Sequence, residues 1–135
     1  MVDRISSAAR SANMARVRGK DTAPEIAVRK VAHSVGLRFR LHDPKLPGHP
    51  DLVFVRHRLV IFVHGCFWHR HPGCKRCTMP TTRSEFWQAK FDGNVARDSR
   101  TAQLLRDDGW RVEIIWECET ADREFLVARL KVLFS

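Results

Sequence analysis

Apolar positions recur at helical spacing near both ends of the chain and fall into short unbroken runs between them. Val28, Val31, Ala32 and Val35 form one stripe of period 3.6, after a start signal at Asp21-Thr22-Ala23-Pro24 and before a stop at Gly36. Leu126, Leu130 and Leu133 form another, in a segment predicted helical from about Asp122 to Phe134. The runs Leu52–Val55 and Leu59–Val63 predict two strands joined by a polar turn at Arg56-His57-Arg58, and their two-sided apolar character implies burial under helices. With the turn centred on His57, residue 51 would face residue 63. Leu37–Leu41 and the imperfect alternation of Trp110–Trp116 predict a first and a fourth strand. A long helical stretch runs from near Ser84 to Gly109, with Leu104 and Leu105 apolar and Gly93 as a weak point. The expectation is α/β: a mixed sheet of about four strands flanked by helices on both sides.

At 135 residues the chain suits a single domain spanning 1–135. Residues 1–20 are polar and Arg/Ser-rich, an arm that buries little by itself and suits ordering on a partner. No apolar run approaches a membrane span and no leader pattern opens the sequence, so no membrane role and a cytoplasmic location, with reduced thiols, are expected.

Charge changes this picture toward a polyanionic partner. Lys plus Arg number 24 against 15 acids, a formal charge of +9, and Arg is the commoner base. For a small domain that points to nucleic acid, with Arg suited to bidentate phosphate and guanine contacts.

The chemistry concentrates in HGCFWHRHPGCKRC at 64–77. Cys66, His71, Cys74, Cys77 and the distant Cys118 offer five zinc ligands for four tetrahedral positions, and spacing alone does not choose among them. His64 and His69 flank Cys66 and suit proton transfer near neutrality, while an imidazolium there would steady a phosphate anion. Phe67, Trp68 and Trp87 lie among Arg70, Lys75, Arg76 and Arg83, which fits stacking on bases rather than core filling. Asp51 opens a buried strand and needs a donor or a cation, and Glu25 sits on the inward stripe of its helix. Two carboxylates and a strand-end carbonyl at Val63 are hard oxygen ligands of the kind Mg²⁺ takes.

The stretches SANMARVRGKDTAPE (11–25), LPGHPDLVF (46–54), VIFVHGCFWHRHPGC (60–74), TRSEFWQAKFDGNVARD (82–98) and GWRVEIIWEC (109–118) together resemble the very-short-patch repair (Vsr) endonucleases. The resemblance covers nearly the whole chain. It implies a restriction-endonuclease-like PD-(D/E)xK-type core with a structural zinc loop at 64–83, Pro50-Asp51 matching the first half of the signature, and His64 and His69 standing in the altered second half. It implies Mg²⁺ held by Asp51 and the Val63 carbonyl, His69 activating water with support from Glu25, and His64 assisting at the phosphate. Zinc would be held by Cys66, His71, Cys74 and Cys118, with Cys77 an alternative ligand. Phe67, Trp68 and Trp87 would intercalate, with Met14 entering from the other groove.

The implied reaction is a nick 5′ of the thymine in a T:G mismatch in double-stranded DNA, left by deamination of 5-methylcytosine. The implied setting is a monomer in the nucleoid-associated cytoplasm, handing over to a repair polymerase and ligase. Val63 replaces an expected threonine, and only its carbonyl is needed. Two other readings fit the charge, cysteines and aromatics: a zinc-stabilised DNA-binding module without catalysis, and a related nuclease with a different target.

Overall fold

The computed structural model describes residues 21–135, so the N-terminal arm and Met14 lie outside the described residues. Helix α1 spans Ala23–Ser34, with Thr22 capping it through a hydrogen bond from the Glu25 amide and Pro24 in its first turn. Strands β1 (Arg40–Leu41), β2 (Leu52–Phe54) and β3 (Leu59–His64) follow, then the long helix α2 (Ser84–Asp107), β4 (Arg111–Trp116) and helix α3 (Arg123–Leu133). The sheet order is β1-β2-β3-β4. The first three strands are antiparallel neighbours, and β4 joins β3 in parallel after the crossover through α2.

Both faces of the sheet are covered, as the two-sided apolar runs require. On one face Leu52, Phe54, Leu59 and Ile61 meet Val28, Val31 and Ala32 of α1 and Leu126 and Leu130 of α3. On the other, Val53, Val60 and Val112 meet Ala102 and Leu105 of α2. β3 is thus a central strand buried from both sides, and whatever emerges from its C-terminal end is rigidly held. Among the described residues no helix is long and apolar enough to cross a membrane.

Four local expectations are corrected. The β2–β3 register is Leu52↔Ile61, Val53↔Val60 and Phe54↔Leu59, one residue away from a turn centred on His57. The cause is a four-residue connection: Val55–His57 coils as a 3-10 turn and Arg58 closes it in the left-handed region at φ 50°. That turn also shortens β1, because residues 37–39 have no extended partner strand opposite most of their length. Gly93 does not interrupt α2, since its missing side chain faces open space and leaves the backbone ladder intact. Only Leu105 of the apolar pair faces the sheet, and Leu104 is 52% exposed.

Gly48 locks the β1–β2 loop against α2. Its φ is +74°, and a Cβ there would stand 2.5 Å from Thr101 Cγ2, so only glycine lets this loop close on the helix.

Candidate active site

A cleft of about 1160 Å³ opens at the C-terminal end of β3. Glu25, His42, Asp51, Val63, His64, Trp68, His69 and Asp98 all contribute to its wall. The sequence-distant residues Glu25, Asp51 and His69 therefore do share one cavity.

Glu25 reaches it from the first turn of α1 and is only 3% exposed. Its Oε1 accepts from the Asp21 amide at 3.3 Å, Arg29 Nη2 at 3.3 Å and His42 Nε2 at 2.8 Å, and its Oε2 accepts from the Thr22 hydroxyl at 3.1 Å. Asp51, just before β2, accepts the Val63 amide through Oδ2 at 2.7 Å, so the carboxylate is tied to β3 despite the shifted register. Its Oδ1 lies 3.5 Å from His42 Nε2. Burial raises the Asp51 pKa to about 6, the Glu25 charge adds to the rise, and the Val63 hydrogen bond opposes it. Two carboxylates brought together out of water are a place prepared for a cation.

His64 ends β3 and is 6% exposed. Its ring stacks on His69 at 3.8 Å between centroids and 9° between planes, and its Nδ1 is buried with no hydrogen-bond partner among the described residues. Burial, reinforced by His69, lowers its pKa to about 3. Burial thus favours the neutral imidazole of His64 over the cation considered for the phosphate.

His69 is held by a carboxylate, and that carboxylate is Asp98 of α2: His69 Nδ1 and Asp98 Oδ2 are 2.6 Å apart. The partner expected from the resemblance, Glu25, bonds instead to Asp21, Thr22, Arg29 and His42. Asp98 carried a readable signal. It lies at i+7 from Phe91 and i−4 from Ala102, on the buried stripe of α2, where a charged residue has no packing reason to be. His42 carried none, since a loop with two prolines and a glycine has no periodicity to place it.

The thiols gather a short distance away. Ligand atoms of Cys66, His71, Cys74 and Cys118 all lie within 4.8 Å of one another. His71 Nδ1 is 3.7 Å from Cys66 Sγ and 3.5 Å from Cys118 Sγ, and Cys77 stands outside the group. Three thiols and one imidazole are a tetrahedral zinc donor set. Burial pushes the Cys66 thiol up to about 12 and also raises Cys118, while a hydrogen bond from the Arg76 main chain lowers Cys74. His71 stacks on Trp116 at 4.3 Å and 12°, and Cys118 lies in the 3-10 turn Glu117–Ala121 after β4, so an ion held here would fasten the loop to the sheet.

Phe67, Trp68, Trp87 and Phe91 pack edge-to-face or tilted, 5.0–6.1 Å between centroids. Phe67 and Trp68 line the cleft half-buried, Trp87 is half-buried against them, and Phe91 roots the cluster in the core. Arg70 is not a free phosphate contact: it lies 3.9 Å over the Phe91 ring and donates to the Phe67 and Thr78 carbonyls. Phe86, 49% exposed beside Trp87, is an outward aromatic that the sequence pattern did not single out.

The sequence profile described as DNA mismatch endonuclease Vsr matches residues 2–76. The chain is 50% identical over 131 residues to the type II nicking enzyme V.XorIIP of Xanthomonas oryzae pv. oryzae, covering 97% of this chain and 96% of that protein. It is 46% identical over 126 residues to the DNA mismatch endonuclease Vsr of Escherichia coli K12, covering 93% and 80%. It is 35% identical over 133 residues to the type II nicking enzyme V.NmeAIP of Neisseria meningitidis serogroup A, covering 98% and 94%.

Proposed function

Because this chain belongs to the Vsr family of DNA mismatch endonucleases, we propose that it is a Mg²⁺-dependent enzyme that nicks duplex DNA 5′ of the thymine in a T:G mismatch left by 5-methylcytosine deamination. The observation that carries this reading is one cleft wall bearing a desolvated Asp51, a His69 held by Asp98, and an aromatic cluster at its rim.

Asp51 and the main-chain carbonyl of Val63 would hold Mg²⁺. Lewis-acid stabilisation of the phosphate transition state and a more acidic water are what Mg²⁺ held there would supply. His69 does the proton work. Asp98 on Nδ1 fixes the tautomer, so Nε2 is the free base that takes a proton from the attacking water. His64, neutral and stacked on His69, holds that ring in its plane and offers a nitrogen near the phosphate. Glu25 acts through His42 and Asp51 rather than on His69, which makes it a positioning residue for the cation side of the cleft. Cys66, His71, Cys74 and Cys118 would hold a structural Zn²⁺ that fixes the loop at 64–83.

Selectivity follows from unstacking. Opening a base step costs a few kcal/mol, less at a mismatch, so wedges of Phe67, Trp68 and Trp87 favour T:G over paired DNA. Met14, in the arm of residues 1–20, completes the wedge from the other groove. The architecture is read as a PD-(D/E)xK-type core in a single domain of residues 1–135. The enzyme acts as a monomer in the nucleoid-associated cytoplasm and passes its nick to a polymerase and ligase.

End-labelled duplexes carrying each mismatch in varied flanks test this. The expected result is scission 5′ of thymine in T:G duplexes with Mg²⁺, none in metal-free buffer, and none with Asp51→Ala. Equal nicking of paired DNA would move the assignment to a nuclease with a different target. Full nicking by Asp51→Ala would remove the mechanism.

A further inference from the structure

His42 lies in the β1–β2 loop with φ at +45°, in the left-handed region that few non-glycine residues adopt. The loop holds it there with its ring aimed between two carboxylates: Nε2 is 2.8 Å from Glu25 Oε1 and 3.5 Å from Asp51 Oδ1. One ligand atom from each of Glu25, His42 and Asp51 lies within 4.8 Å of the others.

Glu25 does not need this imidazole for neutralisation. Arg29 already pairs with its Oε1, and the Thr22 hydroxyl satisfies Oε2. Asp51 spends Oδ2 on the Val63 amide, which leaves Oδ1, the oxygen on the His42 side, for a cation. The His42 ring nitrogen and Asp51 Oδ1 therefore face one another across 3.5 Å, beside Glu25.

We propose that His42 Nε2 is a third protein ligand of the cleft cation, so that the site prefers a first-row transition ion such as Mn²⁺ over Mg²⁺. The proposal rests on Asp51 being a cation ligand, as argued above. Mg²⁺ favours all-oxygen octahedral sets and gives up its waters reluctantly, whereas an imidazole nitrogen is a better ligand for transition ions. With Nε2 as a ligand, the ring proton would sit on Nδ1 and the hydrogen bond to Glu25 Oε1 would be given up. A ring already held in place by its backbone loses little freedom on binding.

The test uses the full-length, zinc-loaded protein and Mn²⁺ as the probe, because Mn²⁺ competes poorly for the thiolate cluster. Free Mn²⁺ is followed by electron paramagnetic resonance, with Mg²⁺ affinity obtained by competition. Pulsed measurements on bound Mn²⁺ read directly coordinated ¹⁴N. The expected results are ¹⁴N coupling in the native protein and its loss in His42→Gln. With it, Mn²⁺ binding weakens about 10-fold while Mg²⁺ binding moves less than about threefold. His42→Asn, whose side chain tolerates the left-handed backbone, should repeat this result if the glutamine variant folds poorly. Persisting ¹⁴N coupling in both variants, or equal weakening of the two ions, overturns the proposal. Asp51→Ala separates the two levels. Loss of Mn²⁺ there with no effect of His42→Gln sinks only the nitrogen ligand, whereas retained Mn²⁺ binding in Asp51→Ala sinks the Asp51 reading itself.

Discussion

Two ligand sets flank the C-terminal end of β3, and they are built in opposite ways. Before it, Glu25, His42 and Asp51 present two carboxylates and one imidazole to an open cleft. After it, Cys66, His71, Cys74 and Cys118 close four donors on one another, with Cys66 fully buried and His71 covered by Trp116. A closed tetrahedral set has no room for substrate and can only hold structure, while an incomplete set leaves coordination positions for water and phosphate. Stability and chemistry would then fall to different ions on the two sides of one strand end. Each can be broken without the other only in one direction, because the aromatic rim and His69 depend on the loop that the thiols fasten.

The largest effect should come from the closed set. Cys118→Ser, or dialysis against a zinc chelator, is expected to lower Tm by more than about 10 °C, given the ~10 kcal/mol scale of structural zinc binding. Nicking should be lost together with the melting shift, since His69 and Trp68 ride on the same loop. Calorimetry before and after chelation reads it. An unchanged melting curve would mean that the four donors carry no structural ion.

The open set should behave in the reverse sense. Asp51→Asn is expected to cut nicking by more than about 10³-fold, the loss of several kcal/mol of Lewis-acid stabilisation. The same change should stabilise the metal-free protein. The folded-state pKa of Asp51 is raised from 3.8 to about 6, so its contribution to stability is fully present below pH 3.8 and is lost as pH rises through about 6. Above that pH the ionised, desolvated carboxylate destabilises by up to about 3 kcal/mol, taking ~1.4 kcal/mol per pKa unit. Urea denaturation at pH 4 and pH 7.5 should show the variant gaining on the native protein only at the higher pH. A variant less stable at both would show that the Val63 hydrogen bond outweighs burial.

A smaller loss is expected from the dyad. Asp98→Asn should lower kcat about 10²-fold with KM little changed, because His69 would keep its place but lose its fixed tautomer. Nitrogen chemical shifts of the His69 ring read the tautomer directly. An unchanged ring with reduced kcat would give Asp98 some other role.

How far the two sets were legible in the sequence differs for the same physical reason. The thiol set is local: three of its donors sit within nine residues, so the motif names the candidates without the fold, although spacing alone leaves Cys77 in competition with Cys74. The carboxylate set is assembled by the sheet. Glu25 and Asp51 were readable because helical and strand periodicity place a charge where packing wants none, and Asp98 carried the same mark on α2. His42 was not, since its position follows from a left-handed loop residue and the close approach of Gly48 to Thr101. The register slip of β2 on β3 had the same origin, a backbone turn that side-chain pattern does not encode. Element types followed hydrophobic period. What escaped was set by φ angles in the connections.

The smallest effect should come from Cys77, and it sharpens the boundary of the closed set. Sequence spacing gave Cys77 as good a claim as Cys74, since the pair is separated by two residues as in a zinc knuckle. In the folded loop the Cys77 amide donates to the Cys74 carbonyl at 3.0 Å, a tight turn that places Cys74 in the group and Cys77 outside it. Bringing Cys77 inward would break that turn and displace a donor already in place. Cys77→Ser is therefore expected to leave zinc content at one ion per chain and nicking within about twofold, as for a surface change that touches no buried partner. Cys74→Ser should lose the ion outright. If instead Cys74→Ser retained zinc and Cys77→Ser then removed it in the double variant, the two thiols would be interchangeable donors. The closed set would then be looser than the geometry makes it.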